Sequence, residues 1–112
     1  MKVFISQPMN GKTNLEIYDE RCEVINELVI ILKRLYLNEK IHVIHVLDTV
    51  FDFKPGTPSL IYLAESIRVL SEADIIVMMP GWEKARGCVI EHECAVRYNI
   101  PIYYLNRKEE DI

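Results

Sequence analysis

The seven residues Ala73-Asp74-Ile75-Ile76-Val77-Met78-Met79 are almost continuously apolar, with no alternation of wet and dry positions. Such a segment cannot give one face to water, and it reads as a parallel strand covered on both sides. Parallel strands need long crossover connections, so helical segments must flank it.

The flanking sequence supplies them. Val3-Phe4-Ile5-Ser6 is a short apolar run stopped by the turn formers Gln7-Pro8-Met9-Asn10-Gly11. Thr13-Asn14-Leu15-Glu16 fits a capping box. Tyr18, Cys22, Ile25, Val29, Leu32 and Tyr36 then recur at helical spacing and predict an amphipathic helix to about Asn38. Ile41 to Leu47 is β-branched and predicts a second strand, followed by a mixed segment to Gly56 that carries Phe51 and Phe53. Thr57-Pro58 predicts a helix start, with Thr57 as cap and Leu60, Ala64, Ile67 and Leu70 as the buried face. Gly87 to Asn99 predicts another helix and Ile100 to Leu105 a last strand.

This β-α-β-α-β-α-β alternation predicts a single flavodoxin/Rossmann-like three-layer α/β domain over residues 1–105, with a charged tail at 106–112. The parallel sheet is expected to have four to five strands in the order 2-1-3-4. At 112 residues the chain has room for one core, not two.

Charge and segment lengths exclude whole classes of function. The net charge of −4, without a stripe of Lys and Arg, argues against a nucleic-acid polymer as partner. No segment has bilayer-spanning length, and the apolar run near Met1 is too short for a signal peptide, so no membrane partner and a cytoplasmic location are expected. Cys22, Cys88 and Cys94 form no C-x-x-C pair and are expected to be thiols.

Open α/β sheets bind ligands beyond the carboxyl ends of their strands, where strand order reverses. With the order 2-1-3-4, the loops Ser6 to Lys12 and Pro80 to Arg86 meet there. Glu91 falls near the start of the last helix, and the stripe Cys88, Glu91, Ala95, Tyr98 is expected to face inward. From this helix alone, an acid near its start is explained by the helix dipole or by capping. Ser6, Gln7, Asn10 and Gly11 suit either a ribose or phosphate contact or an ordinary tight turn. Trp82 suits a stacked base or a cover over the sheet end. Lys12, Lys84 and Arg86 could neutralise a phosphate, although exposed loop cations are commonplace. No cofactor is expected, because there is no G-x-G-x-x-G or Walker pattern. No metal is expected either: His42 and His45 fall on opposite strand faces, and His92-Glu93 lacks the second His of H-E-x-x-H because residue 96 is Val96.

Two stretches carry a more specific likeness. "KVFISQPMNGKT" and "SIRVLSEADIIVMMPGWEKARGCVIEHECAVRYNIPI" resemble the nucleoside 2-deoxyribosyltransferase superfamily, in particular a small bacterial and phage branch of it. The resemblance implies an oligomer, usually a homodimer or multiples of it, and a Glu nucleophile that ends a G-T-x-x-E-like motif. Here that motif reads Gly87-Cys88-Val89-Ile90-Glu91, which makes Glu91 the expected catalytic residue, with Cys88 in place of Thr. The first-strand loop brings Ser6, Gln7, Asn10 and Gly11 into the expected substrate-binding set. The second stretch adds Ser66, Asp74, Gly81, Trp82, Arg86 and Gly87, with Trp82 over the base. One position departs from the pattern. The family's Asp eight residues before Asp74 is Ser66 here, which cannot act as a general acid near neutral pH. Glu65, Glu83 or a second subunit would then have to supply the proton.

Three functions follow. The first is an N-glycosidase or deoxyribosyltransferase acting on a nucleoside or nucleotide. The second is an inactive nucleotide-binding module of the same fold. The third is a structural protein that uses the apolar side chains around Phe51, Phe53 and Trp82 for assembly.

Overall fold

A computed structural model describes residues 1–35 and 44–105 of the chain. Four strands, β1 (Lys2–Ser6), β2 (His45–Val46), β3 (Ile75–Met78) and β4 (Ile102–Tyr104), form one parallel sheet in the order β2-β1-β3-β4. Three helices complete a Rossmann-like three-layer α/β fold: α1 (Asn14–Leu35), α2 (Ser59–Leu70) and α3 (Arg86–Arg97). The expected strand order and alternation are both present. The expectations for Tyr36, the helix extension to Asn38, residues 41–43 with His42, the Leu32 side chain and the tail 106–112 lie outside the described residues.

Strand pleating divides the core in two. Val3, Ile5, Ile75 and Val77 point to one face, where Val24 and Leu28 of α1 cover them. Phe4, Ile76 and Met78 point to the other, against Val69 and Leu70 of α2 and Cys88 and Ala95 of α3. All four residues of β3 are buried, as an unbroken apolar run requires. Ser6 follows the same alternation and joins the α2/α3 face at the carboxyl end of β1.

The capping box at α1 is formed in both directions. The Glu16 N–H donates to Thr13 Oγ1 at 3.1 Å, and the Thr13 N–H donates to Glu16 Oε1 at 2.9 Å. The buried face of α1, however, is Ile17, Arg21, Val24 and Leu28, while Tyr18 and Cys22 are exposed. The apolar stripe expected from Tyr18 is therefore rotated by one residue, because Arg21 occupies a core-facing position.

Helix α2 is corrected in a similar way. Pro58 is its N-cap, and no side chain caps it. The Thr57 hydroxyl instead donates to the Lys54 carbonyl at 2.5 Å. Leu60 is 74% exposed, and the inward residues are Ser66, Val69 and Leu70.

No helix among the described residues is long and apolar enough to cross a membrane. Ile76 is fully buried at the centre of the sheet. Ile76→Ala is expected to cost about 2–5 kcal/mol of unfolding free energy, measured by urea denaturation.

Candidate functional site

The crossover through α1 runs to one side of β1, and those through α2 and α3 run to the other. The chain therefore opens a crevice where β1 and β3 lie side by side. The two loops that follow these strands border it. After β1, the turn Met9 to Lys12 is closed by a bond from the Lys12 N–H to the Met9 carbonyl at 3.1 Å, with Gly11 at φ 79°. After β3, Gly81 at φ 88° turns the chain into a one-turn 3-10 helix, Trp82–Lys84. Positive φ at both positions is what glycine supplies without strain. The cleft holds about 1410 Å³ and is partly open to solvent.

Glu91 forms part of the floor. It lies in the second turn of α3, whose first turn carries no acid, so the capping or dipole explanation does not apply. Its carboxylate is held by two hydroxyls from separate elements. Ser6 Oγ at the end of β1 donates to Oε1 at 2.7 Å, and Ser66 Oγ of α2 donates to Oε2 at 2.6 Å. The residue is 8% exposed. Burial pushes its carboxyl above the ordinary value of 4.5, against the opposing pull of the Ser66 and Ser6 hydroxyls and of the Arg21 charge.

Cys88, one turn earlier on α3, is also buried. Burial is the main cause that pushes its thiol up to about 11, and the charge of Glu91 adds to it. It is therefore a neutral thiol at pH 7 and a poor nucleophile. Of the two adjacent groups, only the carboxyl is suited to attack.

A second buried cluster lies behind the loop. Arg21 Nε donates to Gln7 Oε1 at 2.7 Å, and Arg21 Nη2 donates to Thr49 Oγ1. The Gln7 amide nitrogen donates to the Ile17 carbonyl at 3.1 Å and to Glu20 Oε1 at 3.0 Å. Glu20 in turn accepts from Lys12 Nζ at 2.8 Å. Gln7 thus borders the cleft with both amide hydrogens already committed, so it braces the loop and has no N–H to give a sugar.

The expected site residues separate clearly. Ser6, Ser66 and Glu91 come together by hydrogen bonds. Asn10, Gly11, Gly81, Arg86 and Gly87 line the cleft. Asp74 does not join them. It sits at the amino end of β3, where its carboxylate accepts from the Lys2 N–H at 2.6 Å, at the opposite edge of the sheet. Trp82 is absent from the lining. Its indole stacks on His92 at 4.3 Å between centroids, and His92 Nε2 meets the Tyr104 hydroxyl at 2.6 Å, so this aromatic group packs beside β4. Tyr98 is exposed and is not part of the inward stripe.

Two features escaped the sequence. Arg21 and Thr49 form the second cluster, and Phe51 and Tyr62 form an aromatic wall of the cleft. Phe53 links these two rings, with centroids 5.7 Å from Phe51 and 4.9 Å from Tyr62. Glu65 and Glu83, the expected alternative acids, do not line the cleft, and Glu65 is paired with Arg68 at 2.5 Å.

The family model described as "Domain of unknown function (DUF4406)" matches residues 1–104. No curated protein and no solved structure matches the chain.

The raised Glu91 carboxyl has a consequence for stability. The folded chain keeps that proton at pH values where the unfolded chain has lost it, so this contribution is present below 4.5 and is lost as pH rises through the folded value. Glu91→Gln removes the effect. The thermal midpoint of E91Q minus that of wild type is therefore expected to grow as pH increases above 4.5, measured by melting over a pH series.

Proposed function

The chain belongs to the DUF4406 family, whose description names no activity, and from the site itself we propose that it cleaves the N-glycosidic bond of a nucleoside or nucleotide through Glu91. One observation carries this reading: a buried carboxylate, gripped by two hydroxyls, in the floor of an open cleft at the strand-order reversal. The resemblance to the nucleoside 2-deoxyribosyltransferase superfamily supports the same residue.

In this reading a Glu91 oxygen attacks C1′ of the sugar. The new C1′–O bond forms as the C1′–N bond breaks, and the base leaves with the bonding electron pair. Water or a second base then attacks C1′ from the vacated face, which frees Glu91 and retains the configuration. Ser66 cannot protonate the leaving base, so that proton comes from solvent in the open cleft or from a second subunit. The sugar lies over Asn10 and Gly11, and the base stacks on Phe51 and Tyr62 instead of Trp82. A second copy of the chain covers the cleft beside Leu60, which lines it and is exposed.

A second reading is favoured by one specific feature: the Ser66 hydroxyl is engaged with Glu91, and no carboxyl other than Glu91 lines the cleft among the described residues. The chain would then bind a nucleotide without turning it over.

Chromatography of free base after incubation with deoxynucleosides and their 5′-monophosphates separates the two. Wild type is expected to release base, with a loss of roughly 10³-fold or more in E91Q. Activity should rise with pH along a limb above 4.5, because only the carboxylate attacks. Ligand-induced thermal stabilisation without product would establish the binding module instead. Tyr62→Ala is expected to raise KM about ten-fold, measured by steady-state kinetics, if one stacking contact is lost.

A further inference from the structure

Six polar or charged side chains are buried among the described residues: Ser6, Gln7, Arg21, Thr49, Ser66 and Glu91. All six belong to two clusters, one at the cleft floor and one behind the β1 loop. Ser6, Ser66 and Glu91 form one, Gln7, Arg21 and Thr49 form the other, and the clusters meet at the Ser6–Gln7 peptide. Each holds one ionisable charge: Glu91 in the first, Arg21 in the second.

A guanidinium only 3% exposed needs compensation. Among the described residues its ion-pair partner is Asp48, 4.0 Å from Nη1 with its side chain 67% exposed, where solvent and salt weaken the attraction. Gln7 and Thr49 accept its hydrogen bonds and carry no charge. Burial pushes its guanidinium below the ordinary value, and Asp48, then Tyr18, then Glu91 oppose that electrostatically.

The view from Glu91 is complementary. β1 presents the Ser6 hydroxyl, α2 the Ser66 hydroxyl, and α3 the neutral Cys88 thiol. α1 sends the buried cation Arg21, whose charge favours the ionised carboxyl after the Ser66 and Ser6 hydroxyls, while Lys84 and Arg86 line the open cleft. Lys12, at the loop, is occupied with Glu20 at 2.8 Å.

We propose that Arg21 is the positioning residue of this site: it braces Gln7 and Thr49 from behind and is the counter-charge that lets Glu91 stand as a carboxylate in the cleft floor. Its catalytic meaning rests on the Glu91 reading, but its physical test does not.

The test is a double-mutant cycle of E91Q and R21M, followed by urea unfolding at neutral and at mildly acidic pH. Arg21→Met should lower the neutral-pH midpoint more in wild type than in the E91Q background, and this gap should shrink as acid protonates Glu91. Arg21→Lys, which keeps the charge, should recover part of the loss. Equal losses in the two backgrounds, a gap independent of pH, or an E91Q/R21M chain no better folded than R21M would each overturn the proposal. Base release by wild type alongside an additive cycle would sink this inference alone. A coupled cycle without base release would sink only the nucleophile.

Discussion

The Glu91 carboxylate accepts from Ser6 at the end of β1 and from Ser66 on α2 while standing on α3. Three segments distant in sequence are thereby joined at the point where the strand order reverses. A carboxylate placed there without partners would cost several kcal/mol of desolvation. With both oxygens satisfied, the same group fixes how α2 and α3 meet the sheet edge. The cleft is thus a product of core packing, with its floor set by strand and helix positions and only its rim set by loops.

How much of this could be read from sequence depends on the signal each element carries. Ile75 to Met78 declared a doubly covered strand because four consecutive buried apolar residues have no other reading at that length. The alternation of elements then left few topologies, and 2-1-3-4 was among them. Helix α1 was placed correctly, yet its buried face was not. A buried arginine is invisible to a pattern that counts only apolar side chains, and Tyr18 and Cys22 filled the gap with a plausible stripe one residue away. Ile17, Arg21, Val24 and Leu28 are spaced as a helix face should be once the arginine is admitted.

The site shows the same division. Ser6, Ser66 and Glu91 were among the residues the resemblance singled out, and the folded chain brings their oxygens within hydrogen-bond distance. Asp74 and Trp82 were not separable from them, because sequence adjacency to a site says little about the end of a strand or the side of a loop. Asp74 precedes β3, so it lies a strand length away from the carboxyl edge. Trp82 follows the Gly81 turn, which directs it toward His92 and Tyr104 instead of the cleft. Phe51 and Tyr62 come from segments with no periodic signature in common, and only the folded chain brings them together through Phe53.

Ser66 gains a physical meaning from this arrangement. A second acid at that position would put two carboxyls within hydrogen-bonding distance in a buried place, and one of them would have to take up a proton. A hydroxyl avoids that conflict, because it donates to Glu91 without adding charge. The floor then contains one potential negative charge, which one buried guanidinium can balance across the Ser6–Gln7 peptide. The hydroxyl at Ser66 and the buried cation at Arg21 are therefore consistent with one charge balance. Ser66 thus holds the Glu91 carboxylate in place without placing a second acid beside it.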